Sequence, residues 1–200
     1  MNRRVFERYL KEGEERQLFQ TVNQFKSVLA RRDYAWMRFM RQTGIRVETM
    51  AGLSVGDATA ALRDRYLILR PEITKRSQGG KVFLTNKARR ALRDLLQIRR
   101  EMGYPESADL PLVYSRKHKR MSIRSYQDRM RHWCRAAGLE VKASPHWFRH
   151  TLAKRLMKNS TAKDPRGVVQ GALNQRDPRS TAVYTLPDRE DIEDAMEEVS

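Results

Sequence analysis

Apolar residues recur along most of this chain at steps of three and four, the spacing that gathers them on one face of a helix. Leu18, Val22, Phe25 and Leu29 keep that rule and predict an amphipathic helix over Glu14 to Ala30. A second helix over Arg31 to Gln42 follows, with Trp36, Phe39 and Met40 read as core. Thr85 to Met102 sets Leu92, Leu95, Leu96 and Ile98 against Arg89, Arg90, Arg93, Arg99 and Arg100, and ends at Gly103. A polar loop with Pro105 and Pro111 leads to the apolar stretch Leu112-Val113-Tyr114. From Ser122, the residues Ile123, Tyr126, Met130, Trp133 and Ala137 mark another helix closed by Gly138, with Trp133 and Cys134 as core. The rule breaks between these helices. Tyr66 to Thr74 reads as a strand and Lys81 to Leu84 as its return partner across Ser77-Gln78-Gly79-Gly80, so a β-hairpin is expected. Later, Ser144-Pro145, Asp164-Pro165 and Asp177-Pro178 each place a capping side chain before a proline suited to the first helical position. With no internal repeat, low-complexity segment or linker, the pattern predicts a mainly α domain with a small antiparallel β-sheet, in the α+β class.

Charge turns this helical domain into a candidate for binding a polyanion. Its 200 residues hold 41 Lys plus Arg against 24 Asp plus Glu, a formal charge of +17. The cations are spread through the chain and no basic amphipathic helix is backed by a broad apolar face, which favours nucleic acid over a membrane surface. Lys81 and the basic run Arg116, Lys117, His118, Lys119 and Arg120 are candidate phosphate contacts. The N-terminal MNRRVFERYLKEGEERQ is no signal peptide and no apolar run reaches membrane-spanning length. A soluble, cytoplasmic protein acting on nucleic acid is expected. Cys134 is the only cysteine, which excludes disulfide frameworks and thiolate zinc sites. The tail reverses sign: 188–200 carries seven acids and one arginine, a charge of −6 that leaves +23 for residues 1–187. Ile192, Ala195, Met196 and Val199 keep helical spacing there, so the tail reads as an acidic amphipathic helix whose stripe must find a cover, on its own domain or on a partner.

The stretch from Ser144 to Thr185 carries the chemistry. His146 and Arg149 stand three apart on one helix face, near an N-terminus whose free N–H groups favour a phosphate. That terminus would also disfavour a charged imidazole at His146. Tyr184 follows on a separate short helix. A histidine, an arginine and a late tyrosine suit attack on a phosphodiester. His146 and His150, four apart, also admit a metal pair, but no third ligand cluster and no Glu between them support it. Gly79-Gly80-Lys81 lacks the spacing and hydroxyl of a P-loop.

These residues resemble the tyrosine recombinases, the phage-integrase superfamily of DNA breaking and joining enzymes. His146-Trp147-Phe148-Arg149 matches the family's His-x-x-Arg, and Tyr184 lies nine residues after Gln175, with Thr181 three before the tyrosine. Leu173-Asn174-Gln175 stands where the family has Leu-Gly-His. Upstream, Thr43-Gly44-Ile45-Arg46 matches the motif of the first catalytic arginine, with Leu53 and Asp57 at the expected distances. Thr49 replaces the family's acidic residue, and Glu48 lies one position earlier. The hairpin matches through Lys75 and Leu84, with Lys81 as the alternative lysine.

The resemblance implies a tyrosine-recombinase-like catalytic domain over 1–187, with 188–200 an acidic C-terminal helix exchanged between protomers or docked in cis. It implies a site-specific recombinase that integrates, excises or inverts DNA through a 3′-phosphotyrosyl bond, without cofactor or metal. Tyr184 is the implied nucleophile, Arg46 and Arg149 the phosphate clamp, Lys75 the acid for the leaving oxygen and His146 the base, and Gln175 donates to a phosphate oxygen. The implied partners are double-stranded DNA, further copies of the chain forming a tetramer on paired sites, and accessory DNA-bending proteins. Two other readings stay open: a DNA-binding protein with decayed catalysis, and DNA relaxation of the type IB topoisomerase kind. Nothing before Tyr9 is long enough to form the N-terminal domain that closes many family members around a duplex.

Overall fold

The amphipathic runs form the helices that enclose the core. The computed structural model describes residues 7–74, 79–175, 177, 179–187 and 189–199. Helix α1 (Glu12–Gln24) and helix α2 (Val28–Thr43) part earlier than the apolar spacing predicts, at Phe25 to Ser27 and not after Ala30. The cause is a cap: Ser27 is extended and its hydroxyl accepts the Ala30 amide, so a new helix starts there. Phe25 consequently turns outward and packs edge-on against Trp133 at 5.2 Å.

Helix α2 is the axis of the domain, packing along α5 (Asn86–Glu101), α1 and α7 (His146–Asn159). Trp36, Phe39 and Met40 are fully buried, as their spacing predicts, and Trp133 and Cys134 of α6 (Ile123–Ala136) join them. Beneath this core the carboxylate of Asp33 accepts hydrogen bonds from Arg32, Trp36, Arg129 and Trp133. A buried charge so surrounded is tolerated only because every direction is answered by a donor. Glu15, also buried, accepts from Arg41 at 2.7 Å and Arg155 at 2.6 Å and ties α1 to α2 and α7.

Two short helices, α3 (Val47–Gly52) and α4 (Val55–Asp64), fill the segment before the hairpin. Neither is long enough to declare itself by periodicity. Ser54 and Asp57 cap α4 reciprocally, and Asp57 also accepts two bonds from Arg70, each 2.9 Å, which fixes the end of the first strand.

The expected hairpin is present as β1 (Tyr66–Leu69) and β2 (Gly80–Phe83), antiparallel, with Tyr66 opposite Phe83 and Leu69 opposite Gly80. β1 is shorter than the predicted strand. Pro71 opens a 3₁₀ turn over Pro71–Ile73, since a residue with fixed φ and no N–H cannot extend the ladder. Leu67, Leu69 and Val82 face inward while Tyr66, Ile68, Lys81 and Phe83 face out.

The C-terminal part runs through α8 (Pro165–Ala172), α9 (Arg179–Ala182), a 3₁₀ turn over Val183–Thr185 and α10 (Arg189–Glu197). Asp164 caps α8 as its sequence predicts, holding the Gly167 amide at 3.0 Å. Asp177 Oδ1 accepts the Arg179 amide at 2.9 Å ahead of α9, while Pro178 lies outside the described residues. Ser144 does not cap with its side chain: Pro145 occupies the cap position of α7, and the Trp147 amide bonds the Ser144 carbonyl at 2.9 Å. The apolar side chains form two clusters. The larger spans α1 to α7, and the smaller gathers Ala153, Val169, Leu173 and Tyr184. Ile192, Met196 and Val199 of the tail are exposed.

Candidate active site

The site begins where α2 stops. Gly44 ends that helix in the left-handed conformation (φ +61°), and a Cβ there would meet Leu173 Cδ2 at 2.6 Å. Only glycine meets both demands, which is the physical content of Thr43-Gly44. The turn frees the Gly44 carbonyl, which accepts from Nη1 of Arg149 at 2.8 Å, while Nη2 donates to the Leu173 carbonyl at 2.8 Å. Two carbonyls from distant segments therefore fix the guanidinium of a nearly fully buried arginine.

Two residues past Gly44, Arg46 starts α3 and lines a small cavity of about 20 Å³ together with Arg149, Thr43, Thr49, Leu69 and Asn174. Arg46 and Arg149 make no ion pair among the described residues. Burial and the neighbouring Arg46 press the Arg149 guanidinium down to about 10, still charged at neutral pH. Two cations facing one cavity without a carboxylate form a receptor for an anion. Thr49, at the position of the family's acid, is buried and lines this cavity, whereas Glu48 is exposed, so among the described residues no carboxylate lines the cavity beside Arg46.

Tyr184 packs against Arg149 with its ring in the smaller apolar cluster. Burial raises its hydroxyl above the usual tyrosine range, while the charge of Arg149 and hydrogen bonds from Gln175 and Arg149 act the other way. The phenol is thus protonated at neutral pH, and the positive charge beside it favours its anion. Gln175 is oriented by Thr181, whose hydroxyl lies 2.8 Å from Oε1. With Oε1 so engaged, the amide nitrogen is left to donate to Tyr184. The sequence alone suggests that this donor serves a phosphate oxygen.

His146 opens α7 and is exposed, and its ring lies 4.6 Å from that of His150. His150 in turn stands 5.4 Å from the Tyr184 ring. Spacing alone offers His150 only as half of a metal pair. Its signal was the step of four from His146, and the contact with Tyr184 becomes visible only in the fold. Among the described residues no group of three or more His, Cys, Asp or Glu side chains gathers as for a metal. Burial, with His146, Arg149 and Arg8 nearby, pushes His150 down to about 4. A base whose folded pKa lies below its unfolded value of ~6.5 destabilises the fold as it is forced to protonate. Stability is therefore expected to fall as pH drops from about 6.5 to about 4, by at most about 3 kcal/mol from this group. Urea melts at pH 7 and pH 4.5 on the parent and on His150→Asn check this; an equal acid loss in both assigns the effect elsewhere.

Lys75 lies outside the described residues. The alternative lysine, Lys81, stands on the outer face of β2 over the Tyr66 ring at 5.1 Å, while Val82 faces the cavity. The basic run forms an ordered turn: the Ser115 amide bonds the Lys119 carbonyl, and Tyr104 Oη contacts His118 Nδ1 at 2.8 Å. Arg116, Lys117 and Lys119 are exposed on it, and Arg120 gives Nη1 to the Ala51 carbonyl at 2.9 Å.

A model of the phage integrase family matches residues 8–190. The chain belongs to that family. Among its integrase relatives, the tyrosine recombinase XerC of Shewanella amazonensis is 32% identical over 160 residues, covering 80% of this chain and 50% of that protein. XerC of Actinobacillus pleuropneumoniae is 29% identical over 157 residues, 77% of this chain and 47% of that one. The chain thus spans about half the length of these relatives. Of solved structures, XerA recombinase superposes with a TM-score of 0.76 at 21% identity, over 99% of this chain and 65% of that one. XerH bound to its difH substrate gives 0.72 at 20%, over 98% and 55%. The fold of these structures is therefore shared over nearly the whole of this chain, and no described helix is long and apolar enough to cross a membrane.

Proposed function

We propose that this integrase-family chain is the catalytic part of a site-specific DNA recombinase that cuts and rejoins duplex DNA through a 3′-phosphotyrosyl bond. The observation that carries the reading is Tyr184, buried beside Arg149 and within the electrostatic reach of a second arginine, Arg46, that has no carboxylate partner among the described residues. A scissile phosphate placed against Arg46 and Arg149 meets two guanidinium forks, which stabilise the charge that builds up in the transition state. Tyr184 Oη then bonds to phosphorus as the bond to the 5′ oxygen breaks. The tyrosine proton passes to His146 and the departing oxygen takes one from Lys75. The phosphotyrosyl bond keeps the energy of the broken one, so rejoining needs no nucleotide cofactor. Arg116, Lys117, Lys119, Arg120 and Lys81 supply sequence-independent phosphate contacts. The exposed stripe of Ile192, Met196 and Val199 packs on a neighbouring protomer when four copies assemble on paired sites. Decayed catalysis is not favoured, because Gln175, the chief departure, is built into the hydrogen bonding of the nucleophile.

A nicked suicide duplex, from which the short 5′-hydroxyl strand diffuses away after cleavage, tests the reading. The chain is expected to become covalently attached in the presence of EDTA; absence of attachment on any duplex carrying its binding site would reject it. The same assay weighs Gln175. Loss of a preorganised donor to developing negative charge costs on the order of 10²–10³ in rate, so Gln175→Leu should slow attachment by up to that factor without weakening DNA binding. Gln175→His should keep activity and acquire a pH dependence near neutrality. Parent-like rates in Gln175→Leu would place this side chain outside the chemistry.

A further inference from the structure

Three consecutive residues at the end of α8 each hold a different part of the site. The Leu173 carbonyl anchors Arg149, and Gln175 holds Thr181 and Tyr184. Asn174, between them, turns the other way. Its Nδ2 donates to the Gly79 carbonyl at 3.3 Å, at the start of β2. The side chain lies flat on the next residue, so that a Cβ at Gly80 would come within 2.1 Å of Nδ2, 2.5 Å of Cγ and 2.6 Å of Oδ1. Gly80 is not among the glycines with positive φ, so what requires a glycine there is the approach of Asn174 and not the backbone conformation. Asn174 itself is left-handed (φ +50°), a conformation in which glycine would be free of strain and asparagine is among the few other residues tolerated. The side chain, and not the backbone, is therefore what an asparagine contributes.

We propose that Asn174 is a positioning residue that locks the β1–β2 hairpin to the segment carrying the nucleophile. The lock matters because Leu69 and Val82 of the hairpin wall the cavity that Arg46 and Arg149 face. A hairpin held there sets the leaving-oxygen side of the site, while Gln175, one residue on, sets the attacking side. This rests on the function proposed above, in which the hairpin supplies the leaving-group acid.

The test compares the parent with Asn174→Gly, Gly80→Ala and the double variant, by single-turnover attachment to a nicked suicide duplex at saturating protein. Losing one positioning hydrogen bond corresponds to roughly tenfold. Each single variant should therefore attach about tenfold more slowly with unchanged DNA affinity, and the double should be no slower than either, because both changes break one contact. On a duplex with sulfur in place of the bridging 5′ oxygen, whose thiolate leaves without a proton, the defect should shrink to within about twofold. Amide exchange over residues 79–83 should quicken in both single variants. A parent-like rate for Asn174→Gly, losses that multiply in the double, or an equal defect on the sulfur duplex would each overturn the proposal. If the parent attaches to neither duplex, the functional reading fails, and exchange over 79–83 alone decides the lock: no change in Asn174→Gly rejects it.

Discussion

Tyr184→Phe is expected to bind duplex DNA as the parent does and to form no covalent adduct on a nicked suicide duplex. The phenol ring is one of four buried members of the smaller apolar cluster, and phenylalanine keeps that volume. What it removes is a buried hydroxyl whose proton affinity the neighbouring Arg149 charge lowers. The fold should therefore persist while the reaction stops, because phenylalanine leaves no phenolic oxygen beside Arg149. Adduct captured at parental levels by the variant, seen as a shifted band in a denaturing gel, would show that another residue attacks.

Arg149→Lys is expected to lose about 10³ or more in the rate of adduct formation and also to weaken the fold. The guanidinium reaches the carbonyls of Gly44 and Leu173 with separate nitrogens, each at 2.8 Å, and still faces the cavity. An ammonium keeps the charge but is a single point with no fork, so it cannot bridge two carbonyls and hold a phosphate together. At least one buried carbonyl would be left without its donor, at about 1–3 kcal/mol. Urea unfolding should show that loss, and attachment kinetics at saturating DNA the larger one. Undiminished attachment would mean that Arg149 only staples α2 to α8. A stability loss alone is what such a staple predicts; the kinetic loss at saturation is what a phosphate ligand adds.

Much of this site was legible because its demands are local. Thr43-Gly44-Ile45-Arg46 was legible through its match to the family motif, and the left-handed turn and close approach at Gly44 give that match a physical reason. His146 and Arg149 share one helix, and their spacing carried over intact. The long helices declared themselves by apolar period. The break before α2 did not, because one serine hydroxyl at Ser27 outweighs a continuous apolar stripe. Helices α3 and α4 are too short for a period to show. His150 and Asn174 were not assigned functional roles for a different reason: their partners, Tyr184 and Gly79, lie 34 and 95 positions away, and only the fold brings them together. Gln175 was found by position, yet its direction was set by Thr181, a contact that spacing does not reveal.

The division of the apolar side chains into two clusters bears on motion. The larger cluster holds α2 and its neighbours and is braced by the buried carboxylates of Asp33 and Glu15, while the nucleophile rests on a cluster of four buried residues. Local opening follows the apolar area that must be released, so the amides of α8 are expected to exchange with solvent faster than those of α2. Such an opening would release the Leu173 carbonyl from Arg149 and leave the bond of Arg149 to the Gly44 carbonyl in place.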